Sequence, residues 1–495
     1  MIKKFYIATA LVILISAICL AIPFHDSLGK ENLGLSPLDD EHTLLSADEY
    51  TGEVYSFPAP DKTRYEMEVY LDIVSNLLYG RSRVCTINTT GQVMNDLWLT
   101  VYPNAFSNPN STPAPAQAYY KGFNPGWLEL DRVMVNGQEV ECYLDGVSMH
   151  IVMTFDIIPD KDIIIDMNWR IRIPEIAYRF GSKDGIFMLG NFYPVLNVYD
   201  QAGWHIAYNS KFGDPFCFHC ADYRVRVNIP DAYQLVSTGS TVYRNAEDTG
   251  RTIYLIEASR ARDFCLLIIY DYQEIKSQVD NVTVKCYVPG GSNLDKTREI
   301  AAQCGEMLHY YSSRWGSYPY LEFKIALVPM QGFHGMEYTG LIFLKQELLS
   351  AQFDSNRGSF ILAHEVAHQW WYAMVGNDQL AEPWLDEALA NWSAYEYQKH
   401  AQGMSAKPKS TTVISKLDQQ LNEIDSNSEY YKTIYDGGEA FWAALEEELG
   451  RDTIDSVLRR YLADYKYDIA TTQGLLDTIR KEARQDMDSF LDEWF

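Results

Sequence analysis

Basic residues are scarce in this 495-residue chain: 41 Lys and Arg stand against 67 Asp and Glu, a formal net charge of -26. A surface of that sign repels phosphate backbones, which excludes nucleic-acid binding as a function class. No internal repeat and no low-complexity tract is visible, so neither a solenoid nor a tail-like chain is expected. Cysteine is also short. Of eight, Cys19 lies in an apolar segment, and the odd remainder leaves at least one thiol free or paired between chains. Cys217-Phe218-His219-Cys220 is the one close pair, and it lacks a second pair at structural-zinc spacing. A disulfide or two unpaired thiols remain open there.

What is present is ample for large cores. Length predicts two to four domains, and 47% of residues are apolar. Residues 1–24 read as a targeting segment: Lys3 and Lys4 precede an apolar run from Phe5 to Ile22, which ends at Pro23. No small-x-small cleavage site follows, and Ser16-Ala17-Ile18-Cys19 is a poor lipobox because Ile18 is bulky. The expectation is an uncleaved signal anchor with its lysines inside, a cleaved signal peptide being the alternative. Either places the body at the cell membrane with an extracytoplasmic catalytic domain, or outside the cell. Residues 25–60 are acidic and irregular and read as a linker.

From Tyr65 the pattern turns to period two. Tyr65, Met67, Val69 and Leu71 alternate with polar neighbours, as do Tyr223, Val225, Val227 and Ile229. Turn signals such as Asn136-Gly137 punctuate short strands between them. Residues 61–272 are therefore expected to form an antiparallel β-sandwich or saddle. Residues 273–495 are mixed and then helical, giving an α+β chain. Helices are expected over Leu294 to Tyr311, Ser410 to Glu423 and Glu439 to Leu449, and strands over Phe323 to Val328 and Leu341 to Leu344.

The chemistry concentrates between Phe360 and Asn391. His364-Glu365-Val366-Ala367-His368 matches His-Glu-x-x-His, which on a helix points two imidazoles at one ion. Glu387, in a second apolar-patterned segment opened by Pro383, offers a third ligand. Together they leave a fourth position of a tetrahedral Zn2+ open. Glu365 sits where its carboxylate reaches a water at that position. The motif alone also fits two surface histidines beside a solvated acid. The flanking Phe360-Ile361-Leu362 and Trp370-Trp371-Tyr372 argue instead for a buried helix. One Zn2+ per chain is the expected cofactor.

The spacing from His364 and His368 to Glu387, with Glu382-Pro383-Trp384-Leu385-Asp386 before it, resembles the aminopeptidase-N and leukotriene-hydrolase family of gluzincins. His334-Gly335-Met336-Glu337-Tyr338, Ile434-Tyr435-Asp436-Gly437-Gly438 and Leu97 to Asn104 are similar to further segments of that family. The likeness runs from about Tyr65 onward and is greatest to short bacterial members without the C-terminal helical-repeat domain. It implies a thermolysin-like catalytic domain and hydrolysis of peptide bonds, with peptides as partners and N-terminal residues released.

The same resemblance implies roles. Gly335, Met336 and Glu337 bind substrate: the segment pairs with an extended peptide, and Glu337 holds its α-amino group. Glu365 is the proton carrier. Tyr435 stabilises the oxyanion, with Tyr430 and Tyr431 as alternatives, and Asn391 is a candidate to orient a ligand. His334, Tyr338 and Gly437 depart from the family pattern. A β-domain stretch that helps hold the amine has no clear equivalent, and the region from Arg179 is where one is expected. Zinc endopeptidase or other zinc-hydrolase action is a second reading, and a membrane-anchored peptide-binding or sensor module a third.

Overall fold

The computed structural model describes residues 63–350, 352, 354–403 and 415–495. Its first part is a β-domain around an eight-stranded sheet. The strand order is Ser240–Glu247, Arg251–Ala261, Ala221–Pro230, Arg64–Asp72, Leu77–Ile87, Asp162–Arg172, Trp127–Val135 and Gln138–Glu139. Neighbours are antiparallel except Arg64–Asp72 beside Ala221–Pro230, which run parallel. Tyr65, Met67, Val69 and Leu71 are buried, as their alternation requires. Glu68 is buried as well, its charge met by Arg81 at 2.5 Å. Asn136 and Gly137 take φ of 50° and 78° between two strands, the pair of positive angles a two-residue hairpin needs. Two four-stranded sheets, one centred on Met94–Thr100 and Ser148–Ile157, the other on Leu266–Ile269 and Ile186–Leu189, and a two-stranded one, Tyr199–Asp200 with Gly203–Trp204, accompany the eight-stranded sheet.

A five-stranded sheet follows, ordered Tyr272–Val279, Val282–Pro289, Glu322–Val328, Leu341–Lys345 and Gly335–Met336. Its last strand is an edge, hydrogen-bonded on one side to Leu341–Lys345. Eight α-helices accompany it among the described residues: α1 (Leu294–Trp315), α2 (Ser355–Ala367), α3 (Trp384–Gln402), α4 (Asn427–Tyr430), α5 (Gly438–Leu449), α6 (Arg451–Tyr465), α7 (Thr472–Ala483) and α8 (Asp488–Trp494). One apolar cluster runs from Val69 and Leu97 in the β-domain to Trp370, Trp392 and Trp442 among the helices. Arg262, itself buried, ties the halves by donating to the carbonyls of Phe218, Tyr372, Met374 and Asp468.

Two expectations need correction. The helix expected over Ser410 to Glu423 is absent from residues 415–420, and residues 410–414 lie outside the described residues. Only a single turn forms, at Leu421–Glu423. Leu417 N–H donates to Trp494 O and Leu421 N–H to Leu380 O, so tertiary partners take backbone donors that a helix would have used. The second correction concerns location. Residues 1–24, expected to target or anchor the chain, lie outside the described residues. Among the described residues no helix is long and apolar enough to cross a membrane, which overturns the placement at the cell membrane.

Candidate active site

Helix α2 begins at an Asp354 cap whose side chain accepts from the Arg357 N–H, and it ends as His368 caps it. Helix α3 starts after Pro383, so Asp386 and Glu387 fall in its first turn, where the helix dipole favours acids. Tyr311 of α1 links the two, its hydroxyl lying 3.2 Å from Ala363 O and 3.0 Å from Ser393 O. The packing brings three side chains to one point. His364 Nε2 lies 3.1 Å from His368 Nε2 and 3.2 Å from Glu387 Oε2, and His368 Nε2 lies 3.5 Å from Glu387 Oε2.

These residues fit a zinc ion. Ligands at ~2.0–2.2 Å in a tetrahedron sit roughly 3.3–3.6 Å apart, close to the 3.1–3.5 Å found. His368 Nδ1 donates to Trp371 O at 3.0 Å, so its Nε2 carries the free lone pair. Glu387 Oε2 is buried with no hydrogen bond of good geometry. Burial works to raise the Glu387 carboxyl, but its contacts with His364 and His368 outweigh burial and hold it well below the usual carboxylate range. Converging lone pairs of this kind repel one another unless a cation sits between them. Asp386 lies behind Glu387 and accepts from Asn377 Nδ2 and Gln379 Nε2 at 3.2 and 2.7 Å.

Glu365 is buried on the neighbouring face, and its Oε2 has no partner. Burial first, then the charge of Glu387, push its carboxyl up to about 8 against the lowering pull of His368. Its side chain occupies the space where a β-carbon on Gly335 would stand. Glycine at 335 is thus what lets the edge strand approach the acid. Glu337 follows that strand and is also buried. Burial drives its carboxyl well above the usual range, with Asp214 adding to the rise.

Of the three tyrosines, Tyr435 stacks on the His364 ring at 5.9 Å, and its hydroxyl reaches Glu387. Tyr430 is buried behind it and Tyr431 is 44% exposed. All three adjoin a π-helical turn, Tyr431–Gly437. Asn391 instead donates to Glu439 Oε2 at 2.8 Å. Tyr338 turns into the core against Phe343, in space that Gly190 leaves open.

Two lobes meet at Gly335, His364, Glu365 and Tyr435. The first, about 340 Å³, holds Glu337 and Glu387 and is lined from the β-domain by Thr112–Pro115, Tyr178 and Asp214. The second, about 580 Å³, lies along α2, lined by Arg357, Phe360 and Ile361, with Asn391 and Tyr395 from α3. Sequence reasoning missed Asp214. It pairs with buried Arg179, whose guanidinium lies 4.4 Å from the Phe333 ring centre. Asp214 is remote in sequence from every motif, and only the Arg179 region gave a signal.

A second His/Cys/Asp cluster, His205, Cys217 and Asp378, has different spacing. His205 Nδ1 lies 2.6 Å from Asp378 Oδ2, a direct hydrogen bond, and its Nε2 lies 2.9 Å from Asp200 Oδ2. It is a charged clamp between the β-domain and the loop before α3. Seven cysteines, Cys217 and Cys220 included, form no disulfide among the described residues.

Two histidines from one helix and a glutamate from the next form a candidate metal centre on a β-domain and helical scaffold. Residues 300–494 match the family described as Peptidase family M1 domain, which supports the resemblance to aminopeptidase-N-like gluzincins. It is 23% identical over 310 residues to Aminopeptidase M1-B of Oryza sativa subsp. japonica, covering 56% of this chain and 35% of that protein. It is 23% identical over 256 residues to Aminopeptidase 2, mitochondrial, of Saccharomyces cerevisiae, covering 46% and 26%. The chain thus spans about a third of the length of the curated relatives it matches. The M1 zinc metallopeptidase of Deinococcus radiodurans shares the fold, with a TM-score of 0.60 at 16% identity over 87% of this chain and 92% of that one.

Proposed function

We propose that this chain is a zinc-dependent aminopeptidase that removes N-terminal residues from peptides. The observation that carries the reading is the convergence of His364, His368 and Glu387 at 3.1–3.5 Å, with Glu365 beside them. Those three residues would hold the ion. When bound, zinc supplies Lewis-acid polarisation of the scissile carbonyl and makes water acidic enough to deprotonate near neutral pH. Glu365 takes the proton from the attacking water and passes it to the leaving amine. Tyr435 donates a hydrogen bond to the developing oxyanion, which its place over His364 supports.

The edge strand Gly335–Met336 pairs with the substrate backbone, and Glu337 holds the α-ammonium in the first lobe. That lobe is lined by three acids, Glu337, Asp214 and Glu387, against one lysine, Lys211, and Glu337 is the acid among them with neither an ion-pair partner nor a place in the metal cluster among the described residues. Endopeptidase action needs the cleft to accept uncharged chain on that side, and this acidic lining favours the aminopeptidase reading over it.

The test uses purified protein with measured zinc content and paired aminoacyl-alanine substrates, free or acetylated at the amine. About one zinc per chain is expected, with turnover confined to free-amine substrates. Equal turnover of acetylated peptides would establish the endopeptidase reading. Metal-loaded protein that cleaves neither would defeat the enzymatic one.

A further inference from the structure

We propose that His205 is a positioning residue for the zinc ligand Glu387: through the loop 377–379 it ties the β-domain to the acid that stands behind that ligand. The inference rests on the metal-site reading and adds to it a part that lies outside every catalytic motif. Three consecutive side chains make the link. Asp378 binds towards the β-domain, its Oδ2 accepting from His205 Nδ1 at 2.6 Å. Asn377 and Gln379, on either side of it, bind towards α3, donating to Oδ1 and Oδ2 of Asp386 at 3.2 and 2.7 Å. Asp386 Oδ1 also accepts the Glu387 N–H at 2.9 Å, so the same carboxylate fixes the backbone of the ligand.

Both ends of the link are held. His205 N–H donates to Val198 O, and His205 O accepts from Asn197 Nδ2, each at 2.9 Å, which pins the imidazole's backbone within the β-domain. Its Nε2 pairs with Asp200 Oδ2 at 2.9 Å. In the loop, Asp378 Oδ1 accepts from the N–H groups of Leu380 and Ala381, and Gln379 N–H donates to Phe216 O at 3.0 Å. A carboxylate only accepts, so the Asn377 and Gln379 amides turn their N–H groups to Asp386. Their own oxygens are buried with no hydrogen-bond partner among the described residues, a cost that the charge-assisted bonds to Asp386 offset.

The consequence falls on the metal. Groups that hold a ligand from behind set its orientation and basicity, and removing one typically weakens metal binding ~10–100-fold. Asp386 is such a group. It is buried, and the amides of the loop keep it in place, while Asp378 keeps the loop against the β-domain. Docking of the β-domain and the metal affinity of Glu387 are therefore coupled.

The experiment measures zinc dissociation constants by chelator competition, and the visible spectrum of the cobalt(II)-loaded protein. It compares wild type, H205F, H205N, Q379M and H205F/Q379M. H205F keeps a ring and removes the donor, and Q379M cuts the link at its other end. Each should weaken zinc binding about tenfold and alter the cobalt bands. H205N, whose amide nitrogen falls near the lost Nδ1, should bind zinc within about threefold of wild type. The double variant should lose no more than the more affected single variant, because both cut one link. Wild-type affinity in H205F, equal losses in H205F and H205N, or losses that multiply in the double variant each overturn the proposal. Q379M leaves the domain contact intact and stays readable if H205F fails to fold; unchanged zinc affinity in it overturns the proposal as well. If wild type holds zinc and the variants match it, the link alone fails. If wild type takes up no zinc, the metal-site reading fails and takes this proposal with it.

Discussion

Gly335→Ala is the sharpest probe of the catalytic geometry. Gly335 does not use the left-handed region, so alanine is allowed by the backbone, and the effect must come from contact. A β-carbon there would overlap Cγ, Cδ and Oε1 of Glu365. The side chain must swing away by on the order of 1 Å, a displacement that costs ~10²-fold in rate, or about 2.7 kcal/mol of barrier. Zinc content should hold, because His364, His368 and Glu387 do not touch Gly335 among the contacts described. The assay is kcat on a free-amine substrate for wild type, G335A, E365Q and the double variant. Glu365→Gln alone should lose ~10²–10⁴. If Gly335 acts through Glu365, the double variant should lose no more than E365Q does. A G335A enzyme within threefold of wild type, or losses that multiply in the double variant, would refute the argument.

Tyr435→Phe should lower kcat by ~10²–10³ with KM little changed, whereas Y430F and Y431F stay within a few-fold; a larger loss in either moves the oxyanion role to it. Arg262→Met strands four carbonyls that the guanidinium now satisfies, and should cost about 3 kcal/mol or more in urea unfolding. A loss under ~1 kcal/mol would show that water replaces it. Hydrogen bonds to Asp378 and then Cys217 push His205 up to about 11, well above its ordinary 6.5. Its contribution to stability is therefore complete below about pH 6.5 and fades as pH rises toward 11. Thermal scans should show wild type falling more steeply than H205Q between pH 7 and 10, and parallel curves would contradict the clamp.

The catalytic helices were legible because their signals are local. His364 and His368 lie four apart on one helix, and Pro383 marks where the helix carrying Glu387 begins. The edge strand at Gly335–Met336 was legible through its motif alone, since two residues carry no periodicity. The choice among Tyr430, Tyr431 and Tyr435 was not, because a π-helical turn shifts the facing by a fraction of a turn that no period-3.6 pattern encodes. Asp214 and Arg179 were hidden for another reason. They reach the cleft from the β-domain, so their meeting depends on how two halves dock. The stretch from 415 to 420 misled because its amphipathic pattern was honoured by packing Leu417 and Leu421, without a helix.

The charge balance of the cleft carries one further consequence. Five carboxylates are buried there, on Asp214, Glu337, Glu365, Asp386 and Glu387. Arg179 answers Asp214, Asn377 and Gln379 answer Asp386, and the two histidines answer Glu387. Glu337 has no such partner among the described residues. A buried, unanswered carboxylate is costly, and burial, with Asp214 adding to it, raises the Glu337 carboxyl well above its ordinary range. An incoming ammonium relieves that cost, and an acetylated amine does not. Glu337→Gln should therefore raise KM for free-amine peptides while narrowing their advantage over acetylated ones by ~10²-fold or more. If E337Q discriminates as sharply as wild type, Asp214 holds the ammonium instead, and the edge strand's acid serves only to shape the lobe.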